Sequence, residues 1–121
     1  MQEVLQYKIK GAEIKREKNG YLIVGFSSQL ITNEQLMALQ SINEKFFLAF
    51  YGCALSRSNL EILVLLGVSE VGIFHSSFCD ADLVFISQSK ALGLVKLHDT
   101  LVTQACIDEV RNQKPQLRIF I

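Results

Sequence analysis

The sequence has few of the residues that mark a disulfide-stapled, disordered or strongly charged protein. Its 121 residues include one proline, three cysteines and no tryptophan, and twelve basic residues balance twelve acidic ones. Half of the residues are hydrophobic, which excludes disorder, because disordered chains are poor in apolar residues and rich in net charge. The zero formal charge removes the electrostatic argument for a nucleic-acid or membrane-surface partner.

Signals for export, membrane insertion and metal binding are also missing. The first residues carry no basic segment followed by an apolar one, as a secretion signal would. The longest apolar runs, residues 46–55 and 60–68, are shorter than the roughly 18 to 20 residues that a membrane span needs. Cys53, Cys79 and Cys106 form no CxxC pair and cannot all pair with one another. We expect a single cytoplasmic domain with reduced thiols, no metal and no cofactor.

The chain contains an internal repeat of 23 or 24 residues. In each of four units, two apolar residues two positions apart are followed by further apolar residues five, five and three positions on. The first apolar residues of the units are Val24, Leu48, Val71 and Val95. Alternation predicts a strand, and the final spacing of three predicts one face of a helix. Each unit is therefore predicted to be a strand, a turn and a helix.

Residues suited to cap helices stand at the predicted helix starts. They are Thr32, Ser56, Asp80 and Thr103. Such units cannot bury their apolar faces alone, so neighbours must stack. The prediction is an α/β fold with a parallel sheet as one layer and helices as the other.

The fourth unit is similar to the leucine-rich repeat family. Residues 92–103 read LGLVKLHDTLVT and continue to Ile107 and Val110, which resembles the family's LxxLxLxxTxVT pattern followed by a helix. The third unit carries Ser76 where the fourth has Thr100. The resemblance covers residues 21–121, which end in a partial unit, residues 117–121. It implies a short curved solenoid that recognises proteins, and it supplies no catalytic residues.

The sequence departs from this pattern in places. Lys45 stands at a usually apolar position, and Gln29 and Cys53 occupy the polar position of their units. Residues 1–20 do not fit the repeat at all, and we predict that they form an N-terminal cap. Residues 4–10 of this cap are a predicted strand, and residues 13–18 are predicted to form a hairpin with residues 21–26. Its turn at Asn19-Gly20 is predicted to be type I′, because those residues tolerate positive φ angles.

Outward-facing strand positions carry the candidate binding residues. Aligning the units places six large or aromatic residues on the sheet face away from the helices: Phe47, Tyr51, Phe74, Leu94, His98 and Phe120. A solvated face would carry polar residues there, so the patch predicts a partner-binding surface. The alternative is that a terminal segment or another copy covers this face as core, because parallel sheets are usually covered on both sides.

Two further features concern chemistry and self-association. His75 and Asp99 occupy equivalent positions in adjacent units, so their backbones should lie about 5 Å apart. They could serve as base and orienter of a triad with Cys53 or Ser76 as nucleophile, but no GxSxG elbow accompanies them, and a surface hydrogen bond is the expected role.

Separately, Ile119 and Ile121 continue the inward columns and predict an apolar strand edge open to a partner.

These observations leave distinct functional hypotheses. The first is a non-catalytic protein-interaction module or a small self-associating protein, dimerising through the C-terminal strand or the sheet face. The alternative is a compact α/β regulatory domain of the anti-sigma-factor-antagonist (STAS) type, which needs a mixed strand order. A small hydrolase using His75 and Asp99 ranks below both. Nucleic acid is not an expected partner, since Glu13 and Glu17 dilute the basic residues between positions 8 and 18 and no aromatic platform accompanies them.

Overall fold

A computed structural model describes residues 7–121, which form an α/β fold. Their six strands are β1 Ala12–Arg16, β2 Leu22–Ser27, β3 Phe46–Tyr51, β4 Glu70–Phe74, β5 Leu94–His98 and β6 Arg118–Phe120. Their four α-helices are α1 Asn33–Met37, α2 Arg57–Leu66, α3 Asp80–Ile86 and α4 Gln104–Gln113. A 3₁₀ turn, Ala38–Ser41, extends α1. Within this part of the chain, none of the helices has the length and hydrophobicity needed to cross a bilayer.

The strands form one sheet in sequential order. Strand β1 is antiparallel to β2, and every later strand is parallel to its predecessor. The residues that begin the repeat units form one row across the sheet, Val24, Leu48, Val71 and Val95, which Ile119 extends. This is the row that the period of 23 or 24 residues predicts. The STAS-type alternative required a mixed order, which the sheet of the described residues does not have.

The turn after each parallel strand repeats in the backbone. Ser28, Gly52, His75 and Asp99 have φ angles of 49°, 65°, 56° and 55°. Three of them are not glycine, although a left-handed conformation costs such residues about 1 kcal/mol or more. Three of the four turns also donate to the next strand: the amides of Ser28 and Gly52 bond the carbonyls of Tyr51 and Phe74 at 2.8 Å, and the amide of His75 bonds the carbonyl of His98 at 2.9 Å. The turn therefore fixes the register between neighbouring units.

The main core lies between the sheet and the helices. On the sheet side, the rings of Phe26 and Phe50 are fully buried and stack with their centroids 5.7 Å apart. Each helix contributes buried aliphatic side chains to the same cluster, among them Leu36, Leu60, Leu83 and Ile107. This two-layer packing covers only one face of the sheet, so the opposite face must be covered by its own side chains or remain exposed.

Three predicted helix caps are confirmed and one is wrong. Thr32, Ser56 and Thr103 cap α1, α2 and α4, each accepting a bond from the third residue of its helix. Helix α3 is instead preceded by Cys79, whose amide donates to Asp82 Oδ2 at 3.0 Å. Cys79 lies eight positions after Val71, the same offset that the other caps keep in their units. The repeat register therefore decides the cap, although Asp is the better capping residue.

Asp80 links two helix starts instead of capping its own. Its carboxylate accepts from the Thr103 amide at 2.7 Å and from the Thr103 hydroxyl at 2.8 Å. A similar link joins the starts of α1 and α2, where Asn33 accepts from Asn59 at 2.8 Å and donates to Ser58 at 2.7 Å. The first unit is thus joined to the second, and the third to the fourth, at the helix N-termini as well as through the sheet.

The N-terminal segment differs from its prediction in two respects. Residues 7–10 are not a strand, and residues 4–6 of the predicted strand lie outside the described residues. The hairpin between β1 and β2 is present, but its turn is not type I′, because only Gly20, at φ 87°, has a positive angle there. The Gly20 amide donates to the Glu17 carbonyl at 2.8 Å, and the Glu17 amide to that of Tyr21 at 2.8 Å. This pattern is a three-residue loop with a glycine bulge.

Polar contacts attach the hairpin to the first unit. Arg16 donates to both oxygens of Glu44 at 2.8 and 3.1 Å, and this hydrogen bonding holds the pKa of Glu44 below its ordinary value. The unusual Gln29 donates to the Gly11 carbonyl at 2.8 Å. Lys45, at its usually apolar position, points its ammonium to Glu70 Oε2 at 3.4 Å. Gln29 and Lys45, two of the departures from the repeat pattern, therefore each have a local partner.

We predict that Asp80→Ala lowers the free energy of unfolding by about 1 kcal/mol, because Thr103 loses the acceptor for its amide and its hydroxyl. Urea denaturation measures the change. Asp108→Ala is the matched control, since this carboxylate bonds only the side chain of Gln104 in its own helix. Equal effects of the two substitutions would contradict the role given to Asp80.

Candidate interaction surface

The sheet face turned away from the helices, called the outer face below, presents three rows of side chains. The strand register sets the rows. The row at the strand starts is Ile23, Phe47, Glu70, Leu94 and Arg118. The middle row is Gly25, Ala49, Gly72, Lys96 and Phe120. The row at the strand ends is Ser27, Tyr51, Phe74 and His98. All six predicted partner-binding residues therefore lie on one face.

Small residues in the middle row let large neighbours lie flat on the sheet. A Cβ atom added at Gly72 would lie 2.6 Å from Cζ of Phe47 and 2.7 Å from Cε2 of Phe74. The rings of Phe47 and Phe74 thus converge over the Gly72 backbone. Tyr51 similarly leans toward Gly25, where an added Cβ would lie 3.7 Å from its Cε2 atom. The outer face therefore packs partly on itself.

Two of the predicted binding residues are buried rather than exposed. Phe47 is 8% exposed and Leu94 9% exposed, and they form a small cluster with Ala49. Tyr21, Ile23 and Phe74 pack against that cluster. The expectation that Phe47 and Leu94 are exposed is wrong, because their neighbours on the same face cover them. Their role is to support the surface from below.

The exposed part of the outer face is aromatic. Tyr51 is 43% exposed and Phe120 47% exposed, and the rings of Tyr51 and Phe74 stack with centroids 5.0 Å apart. His98 is exposed beside them, in edge contact with His75. A groove of about 600 Å³ crosses β4, β5 and β6, and its lining includes Phe74, Leu94, Lys96, His98, Phe120 and Ile121. Tyr51 borders this groove through its stack on Phe74.

Charged residues on the outer face were not among the predicted binding residues. The Lys96 ammonium lies 5.5 Å from the centroid of the Phe47 ring. Arg118 is exposed in the row of Leu94. Glu70 is buried, and its Oε1 atom has no hydrogen-bond partner in the described part of the chain. All three occupy outward-facing strand positions in the repeat register, but apolar spacing does not indicate charged residues.

The free edge of β6 is partly shielded. The Arg118 amide donates to the Gly93 carbonyl at 3.0 Å, so the amide and carbonyl of Ile119 must point away from β5. Arg111, in the last turn of α4, donates through Nη2 to the Ile119 carbonyl at 2.6 Å. The edge predicted to be open to a partner therefore has one of its acceptors occupied by a charged side chain.

His75 and Asp99 form a surface pair. The expected hydrogen bond is present, with 2.9 Å between Nδ1 of His75 and Oδ2 of Asp99, and both side chains are exposed. Neither proposed nucleophile joins them. Cys53 is buried and donates to the Phe26 carbonyl at 3.3 Å, while Ser76 donates to the Cys53 carbonyl at 3.1 Å. Within residues 7–121, no hydroxyl or thiol hydrogen-bonds to His75, so the pair has a base and an orienter but no nucleophile.

Metal and thiol chemistry have little support in the described residues. No group of three His, Cys, Asp or Glu side chains within residues 7–121 is arranged to hold a metal ion. All three cysteines are free thiols. Burial, together with the nearby Asp80, raises the pKa of the Cys106 thiol, so it is protonated at neutral pH and is a poor nucleophile.

Comparison with known proteins adds no relative. Neither protein-family models, nor curated proteins, nor solved structures give a match to this chain. A functional interpretation must therefore come from the outer face itself, from its aromatic groups, its groove and its charges.

We predict that Gly72→Ala destabilises the protein by about 1 to 3 kcal/mol, because the new methyl group must displace the rings of Phe47 and Phe74. Gly25→Ala is the control, since its methyl group would make only ordinary contact with Tyr51. Urea denaturation of both variants measures the difference. A Gly72 variant as stable as the Gly25 variant would show that the rings do not lie over the strand.

We also predict that Arg111→Met increases self-association, because it frees the Ile119 carbonyl on the β6 edge. Sedimentation velocity over a concentration series should show more dimer for this variant than for the wild type. Arg118→Met, which removes a charge from the same region but leaves the Ile119 carbonyl covered, should match the wild type. Equal behaviour of the Arg111 variant and the wild type would contradict the shielding role.

Proposed function

We propose that this protein is a non-catalytic protein-interaction module, a short solenoid that binds a partner through its outer face. The stacked pair of Tyr51 and Phe74 is the observation that carries the proposal. The rest of the outer face buries Phe47 and Leu94 beneath their neighbours, yet Tyr51 and Phe120 keep nearly half of their surface in solvent. Large aromatic groups held in place at a surface are typical of interface anchors.

The solenoid part of the proposal is supported by the repeated geometry. Each strand pairs in register with the next, and the same left-handed turn follows four consecutive strands. The bonds from Arg16 to Glu44 and from Gln29 to Gly11 support the role of the hairpin as an N-terminal cap. The free thiols of Cys53, Cys79 and Cys106 support a cytoplasmic location.

Preorganisation favours the outer face as the binding surface. Tyr51 and Phe74 hold each other in a stack, and Phe47 packs against Phe74, so little side-chain freedom is lost on binding. The β6 edge is the less suitable surface, because Arg111 occupies the Ile119 carbonyl that a pairing strand would need. We therefore propose another protein, rather than a second copy paired at this edge, as the principal partner.

Charge substitution on the outer face tests this function. Tyr51→Glu and Phe120→Glu should each remove the proteins that the wild type captures from native lysate, because a carboxylate in an apolar contact is costly to desolvate. The melting temperatures of these variants should stay close to that of the wild type, since nearly half of each residue is already exposed to solvent.

Leu65→Glu is the matched control, because Leu65 is an exposed apolar residue on helix α2. Its captured proteins should equal those of the wild type. If the outer-face variants capture the same proteins as the wild type, or if Leu65→Glu alone loses them, the outer face is not the binding surface.

A further inference from the structure

We infer that the groove over β5 and β6 selects an acidic peptide segment of the partner, one that places an apolar side chain beside a carboxylate. The inference rests on the proposed function, because it names the chemistry of the partner at that same face. Its basis is the block of four outer-face residues that the two strands present: Leu94 and Lys96 on β5, Arg118 and Phe120 on β6.

Apolar and positively charged residues alternate in this block of four. The register places Leu94 beside Arg118 and Lys96 beside Phe120, so the two cations lie on one diagonal of the block and the two apolar groups on the other. Leu94 is nearly buried and forms part of the groove floor, whereas Phe120 is half exposed and forms its side. An apolar side chain can therefore rest against Leu94 and Phe120, with Lys96 in the groove lining and Arg118 beside it as positive charges that attract a carboxylate.

The cations of the block have no acidic partner. The Lys96 ammonium lies 5.5 Å from the centroid of the Phe47 ring, and neither Lys96 nor Arg118 has an ion pair or a side-chain hydrogen bond among the described residues. Two side-chain carboxylates that follow or belong to the neighbouring strands are already paired, Glu70 with Lys45 and Asp99 with His75. His98 adds an imidazole to the groove lining and no negative charge.

The excess of positive charge in this block is local, since the chain as a whole is neutral. A basic segment entering the groove would meet Lys96 and Arg118 with like charge, whereas an acidic one would neutralise them. Exposed ion pairs contribute little affinity by themselves, so the apolar contacts hold the segment and the two cations select its charge.

Three small probes that share one phenyl group and differ only in their end groups test the selection. They are 4-phenylbutyrate, 4-phenylbutylamine and 4-phenylbutanol, titrated into the ¹⁵N-labelled full chain and followed by NMR. Phenylbutyrate should shift the amide signals of Lys96, His98 and Phe120 and bind at least about fivefold more tightly than the amine.

Matched double variants locate the source of that preference. Lys96→Gln with Arg118→Gln should abolish the preference for the carboxylate while weak binding of the phenyl group persists. Lys18→Gln with Lys90→Gln changes the net charge equally at exposed positions away from the groove and should leave the preference intact.

The outcomes separate this inference from the proposed function. Equal binding of the three probes at the groove would overturn the charge selection and leave the outer face as an apolar binding surface. Shifts from all three probes that lie away from the outer face, or no shifts at all, would overturn both proposals.

Discussion

The rest of the structure depends on one constraint, the constant register between successive strands. The row from Val24 to Val95 stays in line because β2, β3 and β4 are each followed by the same left-handed turn, whose amide donates a hydrogen bond to the next strand. That turn recurs at Ser28, His75 and Asp99 despite the conformational cost to residues other than glycine. Constant register places helix starts beside helix starts and outer-face residues beside one another. Both the bond from Thr103 to Asp80 and the stack of Tyr51 on Phe74 follow from it.

Periodicity in the sequence predicted the layers and the rows of the sheet, because apolar spacing reports directly which residues share a face. It was less informative where residue type and register disagreed. Residue type favours Asp80 as a cap, but the offset within the unit places Cys79 there and turns Asp80 toward the next helix. Asn19-Gly20 likewise matches a type I′ turn by composition, whereas the pairing of Glu17 with Tyr21 leaves a three-residue loop. The capping preference of Asp80 and the turn preference of Asn19-Gly20 therefore did not determine the structure at either position.

The outer face shows a different limit of sequence reasoning. Its six large residues were placed on the correct side of the sheet, but their exposure depends on which neighbours can lean over them. Gly72 has no side chain, so Phe47 and Phe74 meet above it and Phe47 becomes buried. Apolar spacing alone cannot report such an interaction, since it involves residues on two strands and the absence of a Cβ atom. A pattern of apolar residues also cannot predict the hydrogen bond by which Arg111 shields the Ile119 carbonyl. What remains exposed is a supported aromatic surface next to two cations without acidic partners.

The central claim is that this surface, and not the helical face, meets a partner. Site-specific photo-crosslinking tests it most directly, with p-benzoylphenylalanine placed at Phe120 on the sheet or at Leu65 on α2, two exposed apolar positions on opposite layers. The account predicts a discrete crosslinked adduct from position 120 and none from position 65 in the cells that make the protein. An adduct from position 65 alone would contradict it.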